Sequence, residues 1–344
     1  MKINEIKDKI DNALEYELLK TNPQLGDSVI LLGVGGSHAY GTNIERSDID
    51  VRGVAMNSKK ELLTTNNFEQ VVNNETDTTI YSFNKLVQLI TNCNPNTIEL
   101  LGLKDEQYVQ LNDLGKQLLE NKNIFLSQRA VHSFGGYANS QLRRLQNFLA
   151  RHEYSQGEKE QHILGSIKHS MWAIKERDRD YGEDGFNMYV DKAETEDLDE
   201  EVFLEVNLQH YPLRNFRSII GEMTSVVRGY EKLGKRNTKK TEDKVGKHAM
   251  HLIRLYLMGI DILEKEQIIT YRENDLELLM KIRNGDFQYE DGKFRDEFFE
   301  LVDEHEKKFN YACEHTNLPK KPRVKEIQEF QMEMNEAWIK RVNA

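Results

Sequence analysis

Apolar residues recur along this chain at two periods, and the point where one replaces the other divides it. Ile3, Ile6, Ile10, Leu14 and then Leu18 or Leu19 lie on one helical stripe, which predicts a helix over residues 3–21. The stretch 28–34 is apolar almost throughout and predicts a strand. Residues 37–40 open a short helix behind a glycine turn, and 49–56 and 77–81 read as a second and a third strand. The third is rich in β-favouring Thr, Ile and Tyr. It runs straight into an amphipathic helix over 83–91. Asn94-Pro95-Asn96 ends that helix and starts another over 97–101. Past residue 108 the helical period takes over. Helices are expected over 109–121, 125–152, 157–178, 213–233, 242–265, 274–283, 292–316 and 322–342, with strand character only at 267–272. Residues 179–200 are acidic and glycine-spotted and read as an exposed loop, and no solenoid-type repeat is present. The expected class is α+β: a small mixed β-sheet domain over 1–108, then a helical domain over 109–344 with an acidic insertion near 179–200.

The chemistry concentrates where strands and helices alternate. Gly35-Gly36-Ser37-His38-Ala39-Tyr40-Gly41-Thr42 follows the first strand, and Ser47-Asp48-Ile49-Asp50-Val51 leads into the second. Residues i and i+2 of a strand share a face, so Asp48 and Asp50 are expected side by side. Hard divalent cations take such oxygen ligands together with substrate phosphates. Gly36 lets the backbone and Ser37 approach a triphosphate. Two-metal nucleotidyl transfer needs a third carboxylate on a neighbouring strand. Asp77, at the head of the third strand, is the expected one, with Glu75 as the fallback and Glu99 too far along a helix. Arg52 shares the strand face of the aspartates and either contacts a phosphate or forms an ordinary ion pair; the same holds for Arg46. His38 and Tyr40 either line the nucleotide or pack beneath the turn. Further on, Lys244, Lys247, His251 and Arg254 fall at i, i+3, i+7 and i+10, one continuous helix face suited to gripping phosphates. Ion pairs with the carboxylates are the plainer reading of that stripe. Tyr137, Asn139 and Gln141 either reach a base or pack on a helix interface.

Bulk properties narrow the partners. Over 344 residues the net charge is −11, which argues against a wholesale polyanion binder. Basic residues nevertheless cluster locally, at Lys232–Lys247 and again at Lys320, Lys321, Arg323 and Lys325. Cys93 and Cys313 stand far apart and read as buried thiols. Without an apolar leader or a span-length apolar run, the expectation is a soluble, cytoplasmic protein with no membrane partner.

The order Gly36-Ser37, Asp48-x-Asp50 and an acidic third strand is similar to the pattern of the DNA polymerase β-like nucleotidyltransferase superfamily. The fuller wording Gly-Ser-His-Ala-Tyr-Gly-Thr … Ser-Asp-Ile-Asp-Val-Arg-Gly-Val resembles one branch of it, the RNA repair pathway DNA polymerase β family (RlaP-type). The likeness continues through residues 77–81, 94–100, 136–142, 246–255 and 282–285. What the resemblance implies is a polymerase β-like sheet carrying Asp48, Asp50 and Asp77 as ligands of Mg²⁺ (or Mn²⁺), with an NTP, ATP or CTP foremost, as co-substrate. It also implies an association with RNA repair, hence an RNA or tRNA acceptor and an RNA ligase partner. Two other readings stand beside it. One is transfer to a small molecule such as an aminoglycoside, or to a protein hydroxyl. The other is a catalytically silent nucleotide- or RNA-binding module.

Overall fold

A computed structural model describes residues 1–66, 68–153, 160–161, 164–165, 185–194, 200–213, 216–217, 219–221, 223–224, 227, 243–290 and 293–342, with side chains left out over 146–153 and 243–244. The helices expected over 157–178 and 213–233 lie largely outside these residues. So do Lys232, Lys235, Arg236, Lys239, Lys240 and the side chain of Lys244. The chain forms two compact units, Met1–Leu142 with Gly246–Ala344, and Arg143–Val245.

In the first unit, α1 (Ile3–Asn12) buries Ile6 and Ile10, each worth about 1.5–3 kcal/mol when removed from water. The chain then turns at Ala13, which is extended, before α2 (Leu18–Thr21). The single helix expected over 3–21 is therefore interrupted. Leu14 is left 89% exposed, while Tyr16 and Leu19 enter the core under the sheet with Val29, Leu32 and Ile80. Next come β1 (Val29–Val34), α3 (Gly36–Tyr40), β2 (Val51–Ala55), α4 (Lys59–Leu63), β3 (Gln70–Asn73), β4 (Thr78–Ser82), α5 (Phe83–Thr91) and α6 (Pro95–Ile98). They are followed by β5 (Tyr108–Leu111), α7 (Asp113–Glu120) and α8 (Arg129–Glu153). The five strands form one mixed sheet in the order β3-β4-β2-β1-β5. β2 and β4 are parallel, and the other neighbours antiparallel. Every residue of β1, an interior strand between β2 and β5, is buried, which is why that run carries no polar alternation.

Two further expectations change. The first turn of the helix expected over 109–121 is β5, which pairs with β1. The helix starts only at Asp113, where Asn112 accepts the Gly115 amide at 3.0 Å. Residues 267–272 form no strand: the Thr270 and Arg272 amides donate to the Gly102 and Tyr40 carbonyls instead. In the second unit, β6 (Phe186–Lys192) pairs antiparallel with β7 (Glu200–Val206), so the acidic segment read as a loop holds a strand. Phe186 and Met188 alternate into a small core with Leu164 and Ile219.

The first unit, which resumes at Gly246, closes with α9 (Asp243–Lys265), α10 (Leu276–Asn284), α11 (Asp296–His315) and α12 (Val324–Val342). Cys93 is buried and Cys313 half-buried, both as free thiols. Among the described residues, no helix is long and apolar enough to cross a membrane.

Candidate active site

Strand register builds the centre of the site. Val51 pairs with Thr78 across the parallel β2–β4 ladder, so the residues just before them, Asp50 and Asp77, stand abreast. The Val51 amide donates to the Asp77 carbonyl at 3.1 Å, and the Gly35 amide to the Asp50 carbonyl at 2.8 Å. Asp77, exposed, has a left-handed backbone, φ 43°, a region that Asp enters more readily than most residues. Thr76 and Thr78 are buried on either side and hydrogen-bond to each other at 2.8 Å.

The Asp50 carboxylate faces the glycine turn. Gly36 has φ 58°, and a Cβ there would fall 1.7 Å from Asp50 Oδ2. The position thus needs glycine for conformation and for space alike. Ser37 follows, half-buried, in the first turn of α3.

Arg52 ties the pair together. Its guanidinium donates to Asp77 Oδ1 at 2.9 Å, to Asp50 Oδ1 at 3.3 Å and to the Asp77 carbonyl. Even so, burial pushes the Asp50 carboxyl up to about 7, with the hydrogen bond and charge of Asp77 adding to it and Arg52 and Lys247 opposing. The hydrogen bond from Asp50 holds Asp77 below the usual carboxylate range. Two carboxylates this close disfavour each other's ionisation, and a cation between them opposes that effect.

The oxygen-only donor pair and the cleared space at Gly36 fit a hard divalent ion of the kind that fills its remaining positions with phosphate and water. Among the described residues, no group of three or more His, Cys, Asp or Glu side chains gathers where a metal ion would sit. Asp48 was expected beside Asp50 on the strand. It lies instead in the irregular segment before β2, exposed, with no hydrogen bond or ion pair to a described residue. The strand begins one residue after Asp50, so pleat alternation does not align the two.

The cationic stripe of α9 descends into the protein. Lys247, at its rim, is exposed, and its charge reaches both Asp50 and Asp77. His251, one turn below, lies edge-on to Tyr40 with ring centres 6.0 Å apart. Arg254 is buried: it pairs with Glu99 at 3.0 Å and sits 3.7 Å over the Tyr40 ring. Tyr40 donates to the same Glu99 carboxylate at 2.7 Å. The charge of Arg254 is therefore committed to a buried Glu99–Tyr40–Arg254 contact behind the turn. His38 and Tyr40 both pack beneath the turn. Tyr137 is exposed and accepts the Asn96 amide at 2.9 Å, while Gln141 meets His248 at 3.1 Å.

Two residues carried no assigned role in the sequence. Arg283, at the end of α10, donates to the Thr42 carbonyl at 2.5 Å and braces the loop after α3. Glu99 anchors Arg254 and also accepts Thr270 Oγ1 on its backbone carbonyl at 2.6 Å. The only sequence signals were the Arg-Asn-Gly helix end at 283–285 and an acid on an otherwise apolar segment.

Replacing Arg254 with Ala leaves the Glu99 carboxylate buried with one neutral donor. A destabilisation of about 3–5 kcal/mol is expected. Urea unfolding of Arg254→Ala against Arg254→Met/Glu99→Leu checks it, since removing both charges together is expected to cost less.

Burial, reinforced by Arg254, Lys247, His248 and Arg283, holds His251 well below 6.5. The unfolded chain then binds a proton that the folded one refuses, so this residue's share of stability falls as pH drops below about 6.5. The loss is at most about 1.4 kcal/mol per pH unit. Asp50, with its raised carboxyl, acts in the opposite direction between its ordinary value and about 7. The imidazole's share is therefore read by difference: His251→Gln is expected to hold its urea midpoint better than wild type between about pH 7.5 and about pH 5.5.

The family model of the RNA repair pathway DNA polymerase beta family (RlaP) matches residues 6–176, a span that includes the sheet, the glycine turn and all three aspartates. No curated protein and no solved structure matches the chain.

Proposed function

Because the chain belongs to the RNA repair pathway DNA polymerase beta family, matched over residues 6–176, we propose that it transfers a nucleoside monophosphate from an NTP to a hydroxyl of RNA. The observation that carries this reading is the Asp50–Asp77 pair, set abreast by the β2–β4 register against the bare backbone of Gly36. In the reaction, the acceptor oxygen bonds to the α-phosphorus and the α–β bridging P–O bond breaks. Pyrophosphate leaves, and the hydroxyl proton passes to water.

Asp50 and Asp77 would hold Mg²⁺ or Mn²⁺, with Asp48, which has no protein partner among the described residues, as the further ligand. When bound, the metal supplies Lewis-acid charge at the phosphoryl oxygens and favours ionisation of the acceptor hydroxyl. Gly36 and Ser37 receive the β- and γ-phosphates at the turn. Lys247, exposed at the rim, adds a cation, and Arg52 keeps the two carboxylates in register. His251 and Arg254 act from behind, by holding Tyr40 and so the floor of the turn.

The net charge of −11 favours a second reading, in which the acceptor is a cationic small molecule. Each α-labelled NTP, supplied in turn with Mg²⁺ or Mn²⁺ and a total RNA pool, separates the two. Label on RNA with intact aspartates supports RNA nucleotidyl transfer and names the nucleotide. Pyrophosphate release with unlabelled RNA moves the acceptor to a small molecule or protein. No turnover with any nucleotide and acceptor sinks the transferase reading and favours a silent module.

A further inference from the structure

At the far end of β4 from Asp77 lies an open cavity of about 450 Å³, between α5, the start of α8 and α12. Ser82, the last residue of β4, lines it. Five residues at about 3.3 Å each put it about 16 Å from the carboxylate pair. The cavity is therefore separate from the reaction centre.

Five carboxamides, Asn84, Gln88, Asn92, Gln328 and Gln331, line the cavity beside the apolar Val87, Val324 and Ile327. Each carboxamide offers a donor and an acceptor in one plane, the complement of a nucleobase edge. Asn84 Oδ1 already accepts Gln331 Nε2 at 2.6 Å and Asn335 Nδ2 at 3.2 Å, which fixes α12 against α5 and holds these amides in place.

Cations stand at the mouth. Arg129 lines the cavity and donates to Asn92 Oδ1. Lys85 is there too, its charge matched by Glu69 at 3.0 Å. The Gln128 amide and side chain donate to the Pro319 and Leu318 carbonyls at 2.9 and 3.0 Å, so the segment that follows is held beside Arg129. That segment is the C-terminal basic cluster. Lys320 and Lys321 are exposed and free of ion pairs among the described residues. Next to them, Val324 at the head of α12 enters the cavity wall.

We propose that this cavity is an exosite for single-stranded RNA, which takes a base among the carboxamides and the flanking phosphates on Arg129, Lys320 and Lys321. The choice of RNA as ligand rests on the RNA-acceptor reading above; the site itself does not depend on the transfer chemistry. It accounts for how a chain of net charge −11 holds a polyanion: the contact is confined to one basic edge with a base-reading recess.

The test is fluorescence anisotropy with a labelled unstructured RNA 12-mer at two or more salt concentrations, in an Asp77→Ala background that removes catalysis. Lys320→Glu/Lys321→Glu is expected to weaken binding by about tenfold or more. Its log–log salt slope should be shallower by about 1.4, two phosphate contacts at about 0.7 each. Gln328→Ala, an exposed position that leaves the fold intact, is expected to weaken binding several-fold with the slope unchanged. RNA binding that ignores both variants overturns the exosite, and so does equal retention of a mononucleotide and the 12-mer. The two readings fail separately. RNA that binds here but never receives label defeats the acceptor reading and leaves the exosite standing. RNA that is labelled normally and bound independently of these residues does the reverse.

Discussion

Asp77→Asn and Asp50→Asn are each expected to lower nucleotidyl transfer by at least about 10²- to 10³-fold while the protein stays folded. The carboxylates lie abreast at the heads of parallel strands, where each disfavours the other's charge and Arg52 offsets this only in part. Asparagine keeps the size and one hydrogen-bonding oxygen and deletes the charge. Thermal unfolding of Asp50→Asn should therefore occur at the wild-type temperature or slightly above it. This is the pattern of a site that holds an unfavourable charge pair for the sake of its ligand. Asp48→Asn is the sharper control: it disturbs no hydrogen bond or ion pair among the described residues, so a loss of transfer there would support the proposed ligand role rather than a structural one. Label transfer from the preferred NTP, measured alongside melting temperature, reads both. Full activity in Asp77→Asn would remove the carboxylate pair from the mechanism.

Gly36→Ala is expected to be nearly as damaging, by geometry rather than charge. The new Cβ would lie 1.7 Å from Asp50 Oδ2 and 2.5 Å from its Cγ, in a backbone at φ 58°. Left-handed backbone costs an alanine about 1–2 kcal/mol, and the carboxylate must swing away from Asp77 to clear the methyl. Transfer should fall by about 10²-fold or more with stability reduced by about 1–3 kcal/mol. Gly136→Ala, on α8 with nothing within 4 Å of the added carbon, is the matched comparison. It should leave activity unchanged and stability equal or up to about 1 kcal/mol higher, because alanine is the better helix former. Wild-type transfer in Gly36→Ala would mean that Asp50 reaches its working position without the bare turn.

The aspartates and the glycine turn were legible in the chain because their signals are local. Asp-x-Asp, Gly-Gly-Ser and an acid heading a Thr-Thr-Ile-Tyr strand are patterns within a few residues, and the β and α periods around them place the sheet and its helices. The short strands β3 and β5 were not legible. Four residues carry too little alternation to outweigh a neighbouring helical period, and only pairing with β4 and β1 makes them strands. The interruption of the first helix at Ala13 has the same origin, since the core under the sheet takes Tyr16 and Leu19 together.

Amino-acid order alone determined the fold class and the acidic residues available to the site, since both follow from local spacing. Tertiary structure decided which of those residues meet. The parallel register of β2 on β4 sets Asp50 against Asp77 and leaves Asp48 outside the ladder, and no local pattern encodes a register between strands twenty-seven residues apart. It also decided how the stripe on α9 is used. Lys247 stays at the rim within reach of the carboxylates, whereas Arg254 is drawn into the interior by Glu99 and Tyr40. Helical spacing puts both on one face, but only packing sets the depth of each, and depth determines whether a cation meets a ligand or a buried partner.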